Sequence, residues 1–323
     1  MANTTTIPHA IASYYDRLLL EREKPYLVHA LFGQVRNIPV GMSNVIKFRK
    51  YGALAVNTTA LTEGLTPEGR NASVTDITAT AQWYGDYMVY TDVVTVESPD
   101  PVLSELTSVL AEQAGRSVDT IIRDVLVAGT NVKYSDASSP QANAATGNVS
   151  ATDMITVGDI RIAVNMLDNA NAKYITDFVD PDAGYLTTPV APSYVGLVHP
   201  NQVATIEGLN GFQSVEKYAN KATIFPSEIG KIGRVRFIQS TQALIKEEEG
   251  NGSVDVYTML IFGKDAYGVT SISGNSMKMI VKSLGSSGSS DPLDQRGSIG
   301  WKANVVARIL QQSWMVRVES ALV

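Results

Sequence analysis

Cysteine is absent from the 323 residues, which excludes disulfides, thiolate zinc sites, iron–sulfur clusters and a cysteine nucleophile together. Stability must come from packing. Histidine is scarce: His9, His29 and His199 stand far apart, without the His-x-x-x-His or Glu-x-x-His spacing that lets one helix face hold a metal. The chain also lacks Gly-x-Gly-x-x-Gly, a phosphate loop ending in Gly-Lys-Ser/Thr, and a Gly-x-Ser-x-Gly nucleophile turn. No apolar run is long enough to span a membrane. The start, Met1 to Thr6, has neither the basic region nor the apolar core of a secretory signal, so synthesis and residence in a cytoplasm are expected. A formal charge of -6 gives no overall support for sequence-independent attraction to phosphates. A chain of this composition that works near DNA is expected to enclose it rather than grip it.

What is present reads as a mixed α+β chain. The first forty residues form an arm: Tyr14, Tyr15, Leu18, Leu19 and Leu20, followed by Glu21, Arg22, Glu23 and Lys24, make a short amphipathic stretch that Pro25 interrupts. Val45 to Tyr51 alternates apolar and basic residues, and Tyr87 to Val96 is rich in β-branched and aromatic types, so both are expected strands. Between them lies a Thr-, Ala-, Gly- and Asn-rich stretch containing T-E-G-L-T-P-E-G-R at Thr62 to Arg70, with weak alternation at Val74, Ile77 and Ala79. Two strands joined this way predict an extended two-stranded projection, and isolated ribbons are marginal in water unless they dock on something.

The strongest helix signal follows. Asp100 can cap it, Pro101 suits its first position, and Leu103, Leu106, Leu110, Ala114, Val118, Ile121, Ile122 and Val125 recur every three or four residues until Gly129. Gly115 is expected to weaken or bend it. Ser135 to Ser150 reads as a low-complexity loop able to bury almost nothing. A second helix is expected to start near Asp153 or Thr156 and to carry Ile160, Ile162, Ala163, Val164 and Leu167. Tyr194 to Val198, Val235 to Ile238, Tyr257 to Phe262, Met277 to Val281 and most of Trp301 to Val318 read as strands, the last preceded by the loop G-S-S-G-S-S-D-P-L-D-Q-R-G-S.

For a chemical site the best candidate is Asp177, Asp180 and Asp182 in D-F-V-D-P-D-A-G, because clustered carboxylates on a Gly/Pro loop can coordinate a hard cation. Their spacing fails the twelve-residue calcium loop, and a solvated acidic loop is the preferred reading. Glu247, Glu248 and Glu249 read as an exposed charged turn. No catalytic residue, cofactor or metal is assigned.

The order of arm, β projection, long helix, mixed domain and closing β segment resembles tailed-bacteriophage major capsid proteins of the Hong Kong 97-like fold. Within these it resembles the coat protein family of coliphage N-four, through Y-Y-D-R-L-L-L at Tyr14 to Leu20, L-T-E-G-L-T-P-E-G at Leu61 to Gly69, A-G-T-N-V-K-Y at Ala128 to Tyr134, V-H-P-N at Val198 to Asn201 and D-P-L-D-Q-R-G-S-I-G-W-K at Asp291 to Lys302. The resemblance implies an N-terminal arm at 1–40, an extended loop at 41–97, a peripheral domain at 98–153 with a spine helix at 101–128, an axial domain at 154–270, and C-terminal strands at 271–323 returning to the peripheral domain. It implies self-assembly, in the host bacterial cytoplasm, into hexamers and pentamers of an icosahedral shell enclosing double-stranded DNA, with the extended loop lying across the neighbouring subunit. The chain is then no enzyme; its partners are its own copies and, beyond them, scaffolding, portal and decoration proteins, with no membrane and no sequence-specific DNA contact. Leu61, Leu65, Pro67 and Arg70 are the expected intersubunit contacts, with Glu63 and Glu68 as ion-pair partners; the alternative is a surface loop whose substitutions change little. Two other readings stand beside this one: an encapsulin-like nanocompartment shell, and a soluble metal-dependent enzyme resting only on Asp177 to Asp182.

Overall fold

The computed structural model describes residues 27–39, 41, 43–52, 54–60, 63, 64, 66, 69–93, 102–136, 145–175, 192–217, 225, 227–272, 277–286 and 291–322. The amphipathic stretch of the arm, the Asp177 to Asp182 cluster, and Leu61, Leu65, Pro67 and Glu68 lie outside them. In chain order the strands of the first half are β1 (Gln34–Ile38), β2 (Val45–Tyr51), β3 (Val74–Thr80), β4 (Gln82–Thr91) and β5 (Val132–Tyr134). Those of the second half are β6 (Tyr194–Val198), β7 (Phe212–Ser214), β8 (Glu228–Ile232), β9 (Val235–Gln239), β10 (Ile245–Lys246), β11 (Val256–Phe262), β12 (Tyr267–Ile272), β13 (Met277–Lys282), β14 (Arg296–Ile309) and β15 (Met315–Ala321). The helices are α1 (Val102–Val127), α2 (Val157–Asn169) and α3 (Pro200–Glu207).

Helix α1 runs unbroken for 26 residues, roughly 39 Å at the usual rise. Leu110, Ala114, Val118, Ile122 and Leu126 recur every four residues and are all buried, which is why the helix keeps one face on the core. Gly115 does not interrupt it. At its C-terminal end the Arg317 guanidinium donates to the Val127 and Gly129 carbonyls, satisfying groups that no further helical turn can reach. The helix packs on the inner face of β14, against Ile299, Trp301, Ala303 and Val305, and the Trp301 indole N–H donates to Gln113 Oε1 at 3.2 Å. Helix α2 begins on a reciprocal cap in which Thr156 Oγ1 accepts from the Asp159 N–H and the Asp159 carboxylate accepts from the Thr156 N–H.

Two larger sheets share the core. The five-stranded one runs β1-β12-β14-β13, with β4 on the other side of β14, and the eight-stranded one runs β5-β15-β11-β6-β9-β8-β7, with β10 on β11. Strands β6 and β11 are buried along their whole length, so both faces of the larger sheet must be covered. Alternation decides which cover each residue meets. Val195, Leu197, Leu260 and Phe262 join the core under α1, while Tyr194, Val198, Met259 and Ile261 join that of α2 and Ile206 of α3. Each such side chain contributes roughly 1.5–3 kcal/mol by leaving water.

Three expectations change. Strand β2 pairs not with the segment around Tyr87 but with β3, from Val45↔Thr80 to Tyr51↔Val74. Strand β4 follows β3 after Ala81 alone and pairs with β14 from Thr91↔Arg296 to Gln82↔Val305. The weak alternation at Val74, Ile77 and Ala79 was therefore the partner strand, disguised by threonines on its solvent side. Next, the flanks of the Ser135 to Ser150 segment do bury residues: Ser135 and Val149 are fully buried, and Val149 packs with Val256 and Ala321. Last, β14 opens at Arg296, inside the stretch read as loop, and the chain turns back at residues 310–314 before β15. Glycines at Gly297 and Gly300 hide that strand from a composition reading, because both lie in the ladder with β4.

Candidate interaction surface

The hairpin β2–β3 projects with residues 52–73 as its loop, and every described residue from 54 to 76 is exposed. Leu54 and Val56 are 56% and 86% exposed, two apolar side chains on one loop that no described residue covers. Glu63 and Arg70, two of the sequence-predicted contacts, sit on this loop in solvent. Arg70 is also used locally: its Nη1 donates to the Ala55 carbonyl at 2.8 Å, clasping the two limbs of the loop, and the Gly52 N–H donates to the Ser73 carbonyl at 2.8 Å. On the outer face of the ribbon Arg49 donates to Asp76 at 3.1 Å, and that hydrogen bond raises the guanidinium pKa above its ordinary value.

The other face of the ribbon fastens it to the body. Phe48 is buried against Gly268 of β12, where an added Cβ would come within 2.9 Å of the ring, so only glycine admits this approach. Lys50 donates to Gln311. A cavity of about 820 Å³ remains at this root, lined by Arg36, Phe48, Lys50, Ile77, Leu310 and Trp314. The chain enters β1 through a second fixed point. His29 is fully buried, with Nδ1 2.6 Å from Asp119 Oδ2 of α1, its N–H donating to Asp119 Oδ1 at 2.8 Å, and its carbonyl accepting from the Tyr267 hydroxyl at 2.5 Å. Burial pushes the Tyr267 phenol well up, which keeps it a neutral donor.

A further exposed feature escaped the sequence reading. Along β4, Trp83, Tyr87 and Val89 point outward, 48%, 69% and 55% exposed, while Tyr84 and Tyr90 turn toward the core. Their period of two was legible, but which set would face solvent was fixed only by the pairing with β14. Asp86 turns to the helix side, where its carboxylate accepts from Gln113 Nε2 at 2.6 Å and from the Tyr87 N–H at 2.8 Å; these bonds, the first above all, hold its pKa below the usual value. Among the described residues there is no cluster of three metal-ligating side chains, and no helix long and apolar enough to cross a membrane. Of the histidines, His29 is the buried anchor just described and His199 caps α3.

Comparison with known proteins gives one family and many structures. The sequence profile of a family described as phage capsid protein matches residues 74–315. Among solved structures the capsid of Ralstonia phage GP4 aligns with a TM-score of 0.69 at 11% identity, covering 90% of this chain and 87% of that one. The cyanophage Pam1 capsid aligns at 0.63 and 13% identity, covering 93% and 92%. The head structure of Helicobacter pylori bacteriophage KHP40 aligns at 0.62 and 13% identity, covering 90% and 87%. The fold is thus the Hong Kong 97-like fold of tailed-phage capsids. A comparison with curated protein sequences gives no match.

Proposed function

This chain belongs to the phage capsid protein family, and from that premise we propose that its work is assembly: copies associate into the hexamers and pentamers of an icosahedral shell that encloses double-stranded DNA. The observation that carries the reading is the loop at 52–73. It is fastened at its root through Phe48 and Lys50, yet every described residue from 54 to 76 is exposed, with Leu54 and Val56 uncovered. A ribbon of two strands has too few local contacts to be worth building unless something covers it, and in a shell that something is the adjacent subunit. Leu61, Glu63, Leu65, Pro67, Glu68 and Arg70 are the residues proposed to make that contact, with Arg70 also closing its own loop on Ala55.

The same reading gives the larger parts their roles. Residues 1–40 act as an arm toward neighbours and 41–97 as the extended loop. A peripheral domain carries α1 as its spine, and the eight-stranded sheet serves as the axial domain. By chain range β12 begins in the axial stretch 154–270 and β15 belongs to the C-terminal strands 271–323, but β12 pairs in the five-stranded sheet and β15 in the eight-stranded one, which supports grouping them by sheet. No catalytic step is part of the function. A shell held by many moderate contacts can correct errors during growth and still be stable when closed. Scaffolding, portal and decoration proteins are the further partners such a shell calls for, and the host cytoplasm the place of its assembly.

Deleting residues 60–72 tests the reading. Soluble, folded subunits that fail to close shells are expected; particles of normal appearance by electron microscopy would refute it.

A further inference from the structure

We propose that the outward face of the β4–β14–β13 sheet receives the acidic turn Glu247–Asp255 of a second copy of this chain, a contact that rests on the capsid reading and is additional to the loop. Register defines the face. Gly85, Lys302 and Lys278 lie side by side across the three strands, then Tyr87, Gly300 and Ile280, then Val89, Ser298 and Lys282, with Arg296 opposite Thr91 at the end. Lys278, Lys282, Arg296 and Lys302 are all exposed, and no outward position of these strands holds a carboxylate. Asp86 lies on the other side of β4, engaged by Gln113 and the Tyr87 N–H.

Among the described residues this face carries cations with no balancing carboxylate. Lys278 stands directly opposite Lys302, and like charges at such a pair are destabilising. Among the described residues neither lysine, nor Lys282, has an ion-pair partner; Lys302 Nζ instead rests 4.4 Å from the centre of the Trp83 ring. Between the cations the surface is apolar. Tyr87 and Ile280 flank Gly300, where an added Cβ would come within 2.7 Å of the Tyr87 Cβ, so the glycine leaves a slot of about 390 Å³ edged by Tyr87, Ile280, Lys282 and Lys302. An exposed apolar slot rimmed by one sign of charge is a docking surface for a partner of the opposite sign.

The chain carries that partner. The turn between β10 and β11 exposes Glu247, Glu248, Glu249 and Asp255, and Asp255 Oδ1 accepts from the Glu248 N–H at 3.0 Å, which fixes the turn's shape. Lys246, the adjacent cation, lies 2.8 Å from Glu319 and 3.7 Å from Glu249, so it pairs inward and with one carboxylate of the turn. Four cations then meet a turn whose Glu247, Glu248 and Asp255 have no ion pair among the described residues, Glu249 alone being paired with Lys246. Donor and receiver are different patches of the chain, so the contact is compatible with head-to-tail passage from copy to copy, the kind of contact from which rings are built. A phosphate backbone would use the lysines but leave Trp83, Tyr87, Val89 and Ile280 idle, so a folded protein surface suits the face better.

The test is charge reversal read by shell yield, from electron microscopy and velocity sedimentation. Lys278→Glu with Lys302→Glu should give a folded subunit, with wild-type circular dichroism, whose shell yield falls about tenfold. Adding Glu247→Lys and Glu248→Lys should restore most of that yield. Undiminished shells from the lysine pair, or no restoration by the compensating pair, overturn the proposal. So does low-salt binding of duplex DNA that the lysine pair abolishes while shells form normally, which would assign the face to nucleic acid. Failure of the wild-type chain to form shells at all counts instead against the capsid reading.

Discussion

His199 shows how much a single protonation state can carry. Its Nδ1 accepts the Asn201 N–H at 3.2 Å at the start of α3, a bond only the unprotonated nitrogen can make. Burial lowers its pKa from the ordinary 6.5. The folded value lies below the unfolded one, so the unfolded chain takes up the proton first. The stabilisation is complete above about pH 6.5 and is lost as pH falls through the depressed folded value. His199→Asn keeps a capping side chain without the titration. Thermal unfolding of this variant should match wild type near about pH 7.5 and decline less steeply toward about pH 5; an identical slope in both proteins would disprove the role. Deeper in the fold, Arg236 Nη1 meets Glu228 Oε1 at 2.7 Å and its Nε meets Ser193 Oγ at 3.1 Å, so that buried charge leaves few donors unpaired.

Among elements, the hairpin β2–β3 is the most exposed to a test. Replacing Phe48 with Ala removes the ring from its seat on Gly268, a change worth about 3 kcal/mol in a packed site. Amide exchange in β2 and β3 should then accelerate about a hundredfold while α1 keeps wild-type protection. Equal acceleration everywhere, or none, would show that Phe48 does not hold the hairpin as described. The case also marks the limit of reading elements from sequence. Helix α1 and strands β2, β6, β9, β11 and β13 announce themselves through local periodicity. Strand β5 is three residues long, β8 is E-I-G-K-I, and β1 lies on its parallel partner β12 across most of the chain, so no local pattern reports them. The candidate surface divides the same way. That Glu63 and Arg70 sit on an exposed loop was visible in composition; that Arg70 clasps Ala55, and that Trp83 and Tyr87 face outward, depends on partners the sequence does not name.

At the scale of the whole molecule, the subunit leaves Leu54, Val56, Tyr87 and Val89 in water, along with Trp83, Ile280 and other large apolar side chains, and holds its buried apolar residues mainly in two cores. Covering the exposed set through association links stability to concentration. The unfolding temperature of assembled particles should exceed that of dissociated subunits and rise with protein concentration; a value independent of both would show that the copies do not stabilise one another. One connection bears on how such a particle withstands load. With only Ala81 between them, β3 and β4 are successive lengths of one extended cable, gripped first by β2, then by β14, and tied to α1 through Asp86 and Gln113. A pull on the tip therefore travels along backbone into the longest helix instead of peeling a loop from a surface, so tension shared between copies is borne by the stiffest part of each.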